Sequence, residues 1–144
     1  MAAVSAVAEK PHRIDKFMIS DDKSDAGIYA VNMYSVGVPF TEIIDDNLPM
    51  YGSNTIFAGK GKDGSIWGAI VEKAFAKYYG NWERLVGGWM AYAVSALNGG
   101  PFSEYWHTDY NADEIWNILR AADLDNDIIT AGSQFCGSHD NSTE

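Results

Sequence analysis

The stretch from residue 66 to residue 79 constrains the fold more than any other part of the chain, because its apolar residues recur in adjacent pairs at helical spacing. The pairs are formed by Ile66, Trp67, Ile70, Val71, Ala74, Phe75, Tyr78 and Tyr79. Asp63 or Ser65 can cap the start of such a helix, and Gly80 is a natural left-handed stop. The sequence therefore predicts a helix over 66–79 that is buried on a wide face.

The rest of the chain shows strand and helix signals separated by turn residues. We predict helices at about 2–10, 89–97 and 112–122, and strands at about 26–35, 38–44, 55–58 and 128–133. A tight turn near Ser35-Val36-Gly37 joins the first two strands, and Asn111 with Glu114 has capping-box spacing before the last helix. Strands first and helices later, without an internal repeat or a long linker, predict one α+β domain.

Composition excludes several classes of function. The 144 residues can form one hydrophobic core, and no apolar run approaches the ~20 residues needed to span a membrane. The net charge of −10 argues against nucleic acid as a partner, because phosphate neutralisation needs clustered lysine and arginine. A single cysteine excludes an internal disulfide and fits a reducing compartment, so we expect a cytoplasmic protein.

The order of residues around the predicted helix carries a family resemblance. From Trp67 the chain reads W-x-A-[IV]-V-E-K-A-F-A-K-x-x-G, followed by an aromatic residue, Glu83 and then Gly87-Gly88. This order resembles the central segment of the catalytic core of calpain-type, papain-like cysteine proteases. Further similar segments, in the family's order, lie at 1–11, 27–34 (GIYAVNMY), 45–49 (DDNLP), 98–105 (NGGPFSEY, with Asn for Thr), 115–120 and 127–133 (DIITAGS).

The resemblance implies part of a papain-like cysteine proteinase fold: the helical half of the calpain core with a small antiparallel sheet. Residues 1–144 are then expected to form a single incomplete catalytic domain that lacks its start. The family's nucleophilic cysteine would precede Met1 by three residues, and the catalytic histidine and asparagine would follow Glu144. No catalytic residue is therefore assigned in this chain, and the chain alone is expected to be inactive, although the full-length enzyme would hydrolyse peptide bonds.

One substrate contact does transfer. In calpains the second glycine of the Gly-Gly pair after the central helix lines the cleft and offers backbone hydrogen bonds to an extended substrate. The resemblance places this role on Gly88, with Gly87 before it, and glycine suits the role because it lets another backbone approach closely. A tight turn between two helices is the alternative explanation, and one can be the cause of the other. Trp89 follows where the family often has a small residue, and it could narrow the cleft.

The resemblance also suggests calcium as a ligand, which is possible for the full-length family member. A glutamate that binds calcium in some calpain cores corresponds to Ser65, which has no carboxylate. Asp123–Asp127 resembles the start of an EF-hand loop but has Ile128 at the sixth position and Gln134 at the twelfth. We therefore expect no metal or other cofactor to be bound specifically by this chain.

Three hypotheses of function follow. The first is a portion of an intracellular calpain-like endopeptidase, whose partners are a protein or peptide substrate and the missing second half of the core. The second is a non-catalytic calpain-like module that binds a partner through an aromatic surface drawn from Trp67, Trp82, Trp89, Trp106 and Trp116. The third is a small enzyme that uses Cys136 near His139, although an ordinary surface thiol explains that tetrapeptide better.

Overall fold

The computed structural model describes residues 1–20 and 23–133, and it confirms an α+β fold with a small antiparallel sheet. Within these described residues, five helices and four strands follow one another in the order α1 (Ala2–Val7), α2 (Pro11–Phe17), β1 (Ile28–Ser35), β2 (Val38–Asp45), β3 (Met50–Tyr51), β4 (Asn54–Thr55), α3 (Trp67–Tyr79), α4 (Met90–Asn98) and α5 (Ala112–Leu124). A short 3₁₀ turn, Glu83–Leu85, lies between α3 and α4.

Helix α3 is the centre of the core, as its apolar pattern predicts. Ile70, Val71 and Ala74 are fully buried. They belong to one cluster with residues of α1, α2, β1, β2 and α4, whose other members are Val4, Val7, Phe17, Met18, Tyr29, Val31, Met33, Ile44, Phe75, Ala96 and Leu97. Gly80 ends the helix in a left-handed conformation, as predicted.

The predicted cap of α3 is wrong. Ile66 is the N-cap residue, and its side chain makes no capping hydrogen bond. Asp63 instead accepts a hydrogen bond from the amide of Ser65 (3.0 Å), and the carbonyl of Ser65 accepts one from Gly61 (2.8 Å). Both candidate caps are therefore used within their own turn, since an Asx-type bond two residues along competes with helix capping.

The helix predicted at 2–10 is shorter in the structure, and a second helix that was not predicted follows it. Helix α1 ends at Val7, and α2 begins at Pro11 with proline in its first turn. Lys10, directly before the proline, is extended (φ −114°, ψ 114°). A residue before proline is pushed out of the helical region, whereas proline itself suits a first helical position. Pro11 thus keeps Lys10 out of the helical conformation and starts the second helix.

Strands β1 and β2 form an antiparallel hairpin in which Ser35 pairs with Val38. The loop consists of Val36 and Gly37, both at positive φ (51° and 77°). Two central residues at positive φ are the mark of a type I′ turn, which matches the twist of the strands. A β-branched residue rarely adopts this conformation, so Val36 is strained, and its side chain is fully exposed.

Replacing Val36 with asparagine is expected to raise the free energy of unfolding by about 1 kcal/mol, because asparagine tolerates the left-handed conformation that valine resists. Urea unfolding followed by circular dichroism measures the change. Val38→Asn is the matched control: Val38 is also exposed, but it lies in the strand, where asparagine is disfavoured. Equal effects of the two substitutions would contradict a turn-specific origin.

Two predicted strands differ from the structure: one is shorter than predicted, and the other is not formed. The strand predicted at 55–58 shortens to Asn54–Thr55, paired with Met50–Tyr51. Residues 128–133 do not form a strand. At the outer sides of the hairpin, Met18 bridges to Val31 of β1, and Lys77 Nζ donates to the carbonyl of Ile43 on β2 (2.9 Å). Residues 128–133 pair with neither strand, and only Ile128 of this segment joins the edge of the core.

The last two helices have different degrees of burial. Helix α4 buries Ala96 and Leu97 and ends at Gly99 in a left-handed conformation. Helix α5 begins with the predicted capping box, because Asn111 accepts from the amides of Asp113 and Glu114 while Glu114 accepts from the amide of Asn111. None of the thirteen residues of α5 is buried.

Candidate functional site

The segment that leads from α3 to the Gly-Gly pair is firmly anchored. The ring of Trp82 stacks on Phe57 with centroids 4.6 Å apart and planes 5° apart. The amide of Arg84 donates to Asn81 Oδ1 (3.0 Å), and the guanidinium of Arg84 donates to the carbonyl of Tyr79 (3.3 Å). Leu85 packs against the core. The chain therefore arrives at residue 86 in a fixed position.

Gly87 and Gly88 themselves are exposed and lie in conformations that favour glycine. Their φ angles are +85° and +137°. A Cβ atom built on either residue would meet nothing within 4 Å. The conformation, rather than crowding from neighbours, thus requires glycine here, and it leaves the backbone amide and carbonyl groups open to an approaching chain. The tight-turn explanation and the substrate-contact explanation are both compatible with this geometry.

Trp89 follows the pair as the extended N-cap residue of α4 (φ −72°, ψ 127°). Its ring lies 5.6 Å from that of Trp106. Sequence reasoning did not connect these two residues, because Trp106 lies in an irregular segment that carries no periodic signal. The structure thus adds an aromatic pair at the residue directly after Gly88.

A groove of about 410 Å³ lies at a different place, between β2 and the end of α3. Its two lysines are already engaged: Lys73 Nζ contacts Asp45 Oδ1 and the carbonyl of Asn47, both at 2.7 Å, and Lys77 Nζ contacts Glu42 Oε2 at 2.8 Å. These contacts tie α3 to β2 and to the segment that follows it. We therefore regard this groove as structural and the Gly-Gly pair as the candidate site.

The Asp45–Lys73 pair gives the fold a defined response to acid. The hydrogen bond from Lys73, followed by the one from the amide of Asn47, lowers the pKa of Asp45 from 3.8 to about 2. Because the folded-state pKa is lower than the unfolded one, the pair stabilises the fold fully above about pH 4. This stabilisation is lost as the pH falls towards 2.

Asp45→Asn is accordingly expected to lower the melting temperature at pH 5 but to have little effect at pH 2. Thermal melts of both proteins across this range provide the measurement. In a Lys73→Met background the same substitution should have a smaller effect at pH 5, since the largest cause of the pKa shift is gone. An Asp45→Asn effect independent of pH would contradict the assignment.

The turn at Ser65 is closed by its own hydrogen bonds. Its carbonyl accepts from Gly61, and the hydroxyl and amide of Ser65 hold the pKa of Asp63 below its usual value. The nearby oxygens are thus satisfied by protein groups. Calcium prefers several carboxylate and carbonyl oxygens that converge on one point.

The acidic loop after α5 is occupied by cationic side chains of α2 and its cap. Lys10 Nζ donates to the side chain of Asn126, and Arg13 donates to the carbonyl of Asn126. Across residues 1–20 and 23–133, no cluster of three or more histidine, cysteine or acidic side chains is arranged to hold a metal ion. Gln134, Cys136 and His139 lie outside the described residues, so the hypothesis of a catalytic Cys136 stays a prediction.

Comparison with known proteins agrees with the resemblance. The family described as calpain family cysteine protease matches residues 1–144. The chain is 29% identical over 140 residues to the calpain-type cysteine protease DEK1 of Zea mays, which covers 92% of this chain and 6% of that protein. It is 31% identical over 103 residues to Calpain-A of Drosophila melanogaster, covering 72% of this chain and 12% of the relative.

The Calpain-1 catalytic subunit of Rattus norvegicus is 27% identical over 111 residues, covering 77% of this chain and 15% of the relative. The chain thus spans only a small part of the length of these relatives. In the part of the chain that the structure describes, no helix is both long and apolar enough to cross a membrane. The family match over the full chain and the similarity to several calpains lead to one conclusion: this chain belongs to the calpain family of cysteine proteases.

Proposed function

We propose that this chain is one portion of the catalytic core of a calpain-like, thiol-dependent endopeptidase acting on protein substrates in the cytoplasm. The observation that carries the proposal is the match of the calpain family to all 144 residues, while the chain spans only 6% to 15% of the relatives. Residues 1–144 form a single incomplete catalytic domain under this proposal. The catalytic cysteine and histidine belong to other parts of the enzyme, and the chain alone is inactive.

The intact mass of the native polypeptide tests this proposal. An antibody raised against residues 60–90 isolates it from its source, and mass spectrometry then gives its length. We expect a species much heavier than 15.8 kDa, the mass of these 144 residues. The heavy species should hydrolyse an unfolded protein substrate and be blocked by a thiol alkylator. A native species of 15.8 kDa would contradict the proposal.

Within this enzyme, Gly88 is the substrate contact that we propose, with Gly87 before it. Support comes from the exposed backbone, the open space around both Cα atoms and the fixed path of the chain up to Leu85. An extended peptide can pair with such a backbone through main-chain hydrogen bonds, much as a strand joins the edge of a sheet. Calcium enters the proposal only through other parts of the full-length enzyme, because Ser65 supplies no carboxylate here.

The second half of the core is the partner that we propose for α5. Trp116 and Leu124 are 64% and 71% exposed, and this helix has an apolar stripe with no buried residue. An apolar helix face of this size normally packs against another element.

Residues 1–144 expressed alone are therefore expected to bind a hydrophobic dye such as ANS. The dye fluorescence is measured with the isolated chain and after Trp116→Ser with Leu124→Ser, which should reduce it. A sharp cooperative melt of a monomer that binds no dye would contradict this partner.

The second hypothesis, a non-catalytic module that binds a partner, is favoured by a separate observation. Trp89, Trp106 and Trp116 are each at least 44% exposed. Tryptophan is rarely left exposed in groups without a binding role. A native species of 15.8 kDa in the mass measurement would direct attention to this role.

A further inference from the structure

An aromatic surface lies at the start of α4 and on the segment that follows this helix. Its members are Trp89, Tyr92, Phe102, Tyr105, Trp106 and Tyr110, whose exposed fractions range from 38% to 53%. Three pairs link them: Trp89 with Trp106, Tyr92 with Phe102, and Tyr105 with Tyr110, at centroid distances of 5.5 to 5.6 Å. Trp89 and Tyr92 are three residues apart and thus neighbours on one side of α4.

This surface is held by aromatic pairing and not by burial in the core. Every residue from 101 to 110 is exposed. Neither the groove beside β2 nor the smaller cavity beside Glu72 includes any of the six aromatic side chains. The surface is therefore open, and it suits a chain segment laid across it better than a small molecule enclosed in a pocket.

The charge around the aromatic surface has one sign. Residues 85–119 contain no lysine or arginine, whereas they contain four acids: Glu104, Asp109, Asp113 and Glu114. Glu104 and Asp109 lie next to Tyr105 and Tyr110 in the chain. Among the described residues, the ion pairs are Lys73–Asp45 and Lys77–Glu42, so neither of these two acids is paired there.

Acids beside exposed aromatic faces determine the chemistry of a matching partner. A guanidinium or ammonium group is attracted to the face of tryptophan or tyrosine, and a nearby carboxylate adds to this attraction. The apolar ring areas favour a large apolar side chain beside the cation. A second copy of this chain, with its net charge of −10, is disfavoured by repulsion.

We propose that the aromatic surface binds a protein segment in which arginine or lysine stands beside a large apolar residue. This inference goes beyond the proposed proteolytic role: Trp89 directly follows the proposed substrate contact Gly88, but the binding measured below requires no peptide-bond hydrolysis. Anionic partners, such as acidic peptides or phosphorylated segments, are excluded by the same charge argument.

Fluorescence anisotropy of labelled peptides tests the proposal with the 144-residue chain. The probe is a fluorescein-labelled peptide Gly-Arg-Leu-Phe-Arg-Gly, and the two controls replace its arginines with glutamate or its Leu-Phe pair with serine. We expect binding of the basic apolar probe only, with an affinity that falls as salt is raised. Equal binding of the glutamate control, or binding of none of the three peptides, would overturn the proposal.

Variants of the chain locate the binding surface. Trp106→Ala is expected to weaken binding about tenfold or more, which corresponds to the loss of one central aromatic contact. Glu104→Gln with Asp109→Asn should weaken binding and flatten its salt dependence without removing any ring, so it tests the surface even if Trp106→Ala fails to fold. Trp116→Ala on α5 is the matched control, which should change the affinity less than twofold.

Sedimentation velocity tests whether a second copy of this chain occupies the aromatic surface. The chain is expected to stay monomeric over the concentration range of the binding assay. A dimer that Trp106→Ala dissociates would show that two copies meet on the aromatic surface, and this result would overturn the proposal. The proposal would also be overturned if Trp106→Ala and the double variant Glu104→Gln with Asp109→Asn both bound the peptide with unchanged affinity.

Discussion

Replacing Gly99 with alanine is expected to lower the free energy of unfolding by about 2–5 kcal/mol. Gly99 ends α4 at φ +70° and donates its amide to the carbonyl of Ser95 (2.8 Å). A Cβ atom at this position would lie 2.6 Å from Cδ1 and 2.9 Å from Cγ of Tyr34 on β1. Left-handed strain and overpacking thus add together, since the inner ring atoms of tyrosine cannot move aside without displacing the strand.

Urea unfolding of Gly99→Ala measures this loss of stability. Two controls separate the part due to backbone strain from the part due to the clash with Tyr34. Gly52→Ala places alanine at φ +61° with nothing within 4 Å, so it should show strain alone, about 1–2 kcal/mol. In a Tyr34→Ala background the clash is removed, and Gly99→Ala should then cost no more than the Gly52 control. An equal cost with and without Tyr34 would show that the close approach of α4 to β1 contributes nothing.

Gly88→Ala is expected to reduce kcat/KM of the full-length enzyme about 10- to 100-fold. The added Cβ would stand where the proposed substrate backbone approaches, and φ +137° is a conformation that alanine resists. The loss of one or two main-chain hydrogen bonds, at about 1–1.5 kcal/mol each, accounts for a change of this size. Hydrolysis of a fluorogenic peptide by the full-length protein gives the rate, and thermal melting gives the stability.

The split between activity and stability decides between the two explanations of the Gly-Gly pair. Because the space around Gly88 is open, the stability cost should be limited to backbone strain, about 1–3 kcal/mol. Gly52→Ala serves again as the control, since it introduces strain at an exposed turn far along the chain from the Gly-Gly pair. If Gly88→Ala melts early but retains full activity when folded, the pair is only a turn and the substrate contact is refuted.

The elements that could be predicted from the sequence are those whose cause is local. Helix α3 is specified by its paired apolar residues, its end by Gly80, and the start of α5 by the Asn111–Glu114 capping box. Each of these signals acts within one or two turns of the chain, so neighbours in sequence suffice to reveal it. The order of motifs around α3 likewise indicated the family before any contact was known.

The misread elements depend on distant residues. The segment predicted as a strand at 128–133 pairs with neither strand of the hairpin, and such pairing depends on residues that are far from it in sequence. The aromatic surface joins Trp89 to Trp106 across a segment without periodicity. Lys10 and Arg13 likewise reach Asn126 after α5 from the opposite end of the chain, a contact that no local pattern predicts.

The sequence by itself therefore determined the family, the α+β class, the central helix and the position of the Gly-Gly pair. The tertiary structure alone decided that this pair is exposed at positive φ and which strand signals find a partner. The physical reason is range: helix periods and caps are set by bonds between near neighbours, whereas strand pairing, ring stacking and ion pairing require segments that only folding brings together.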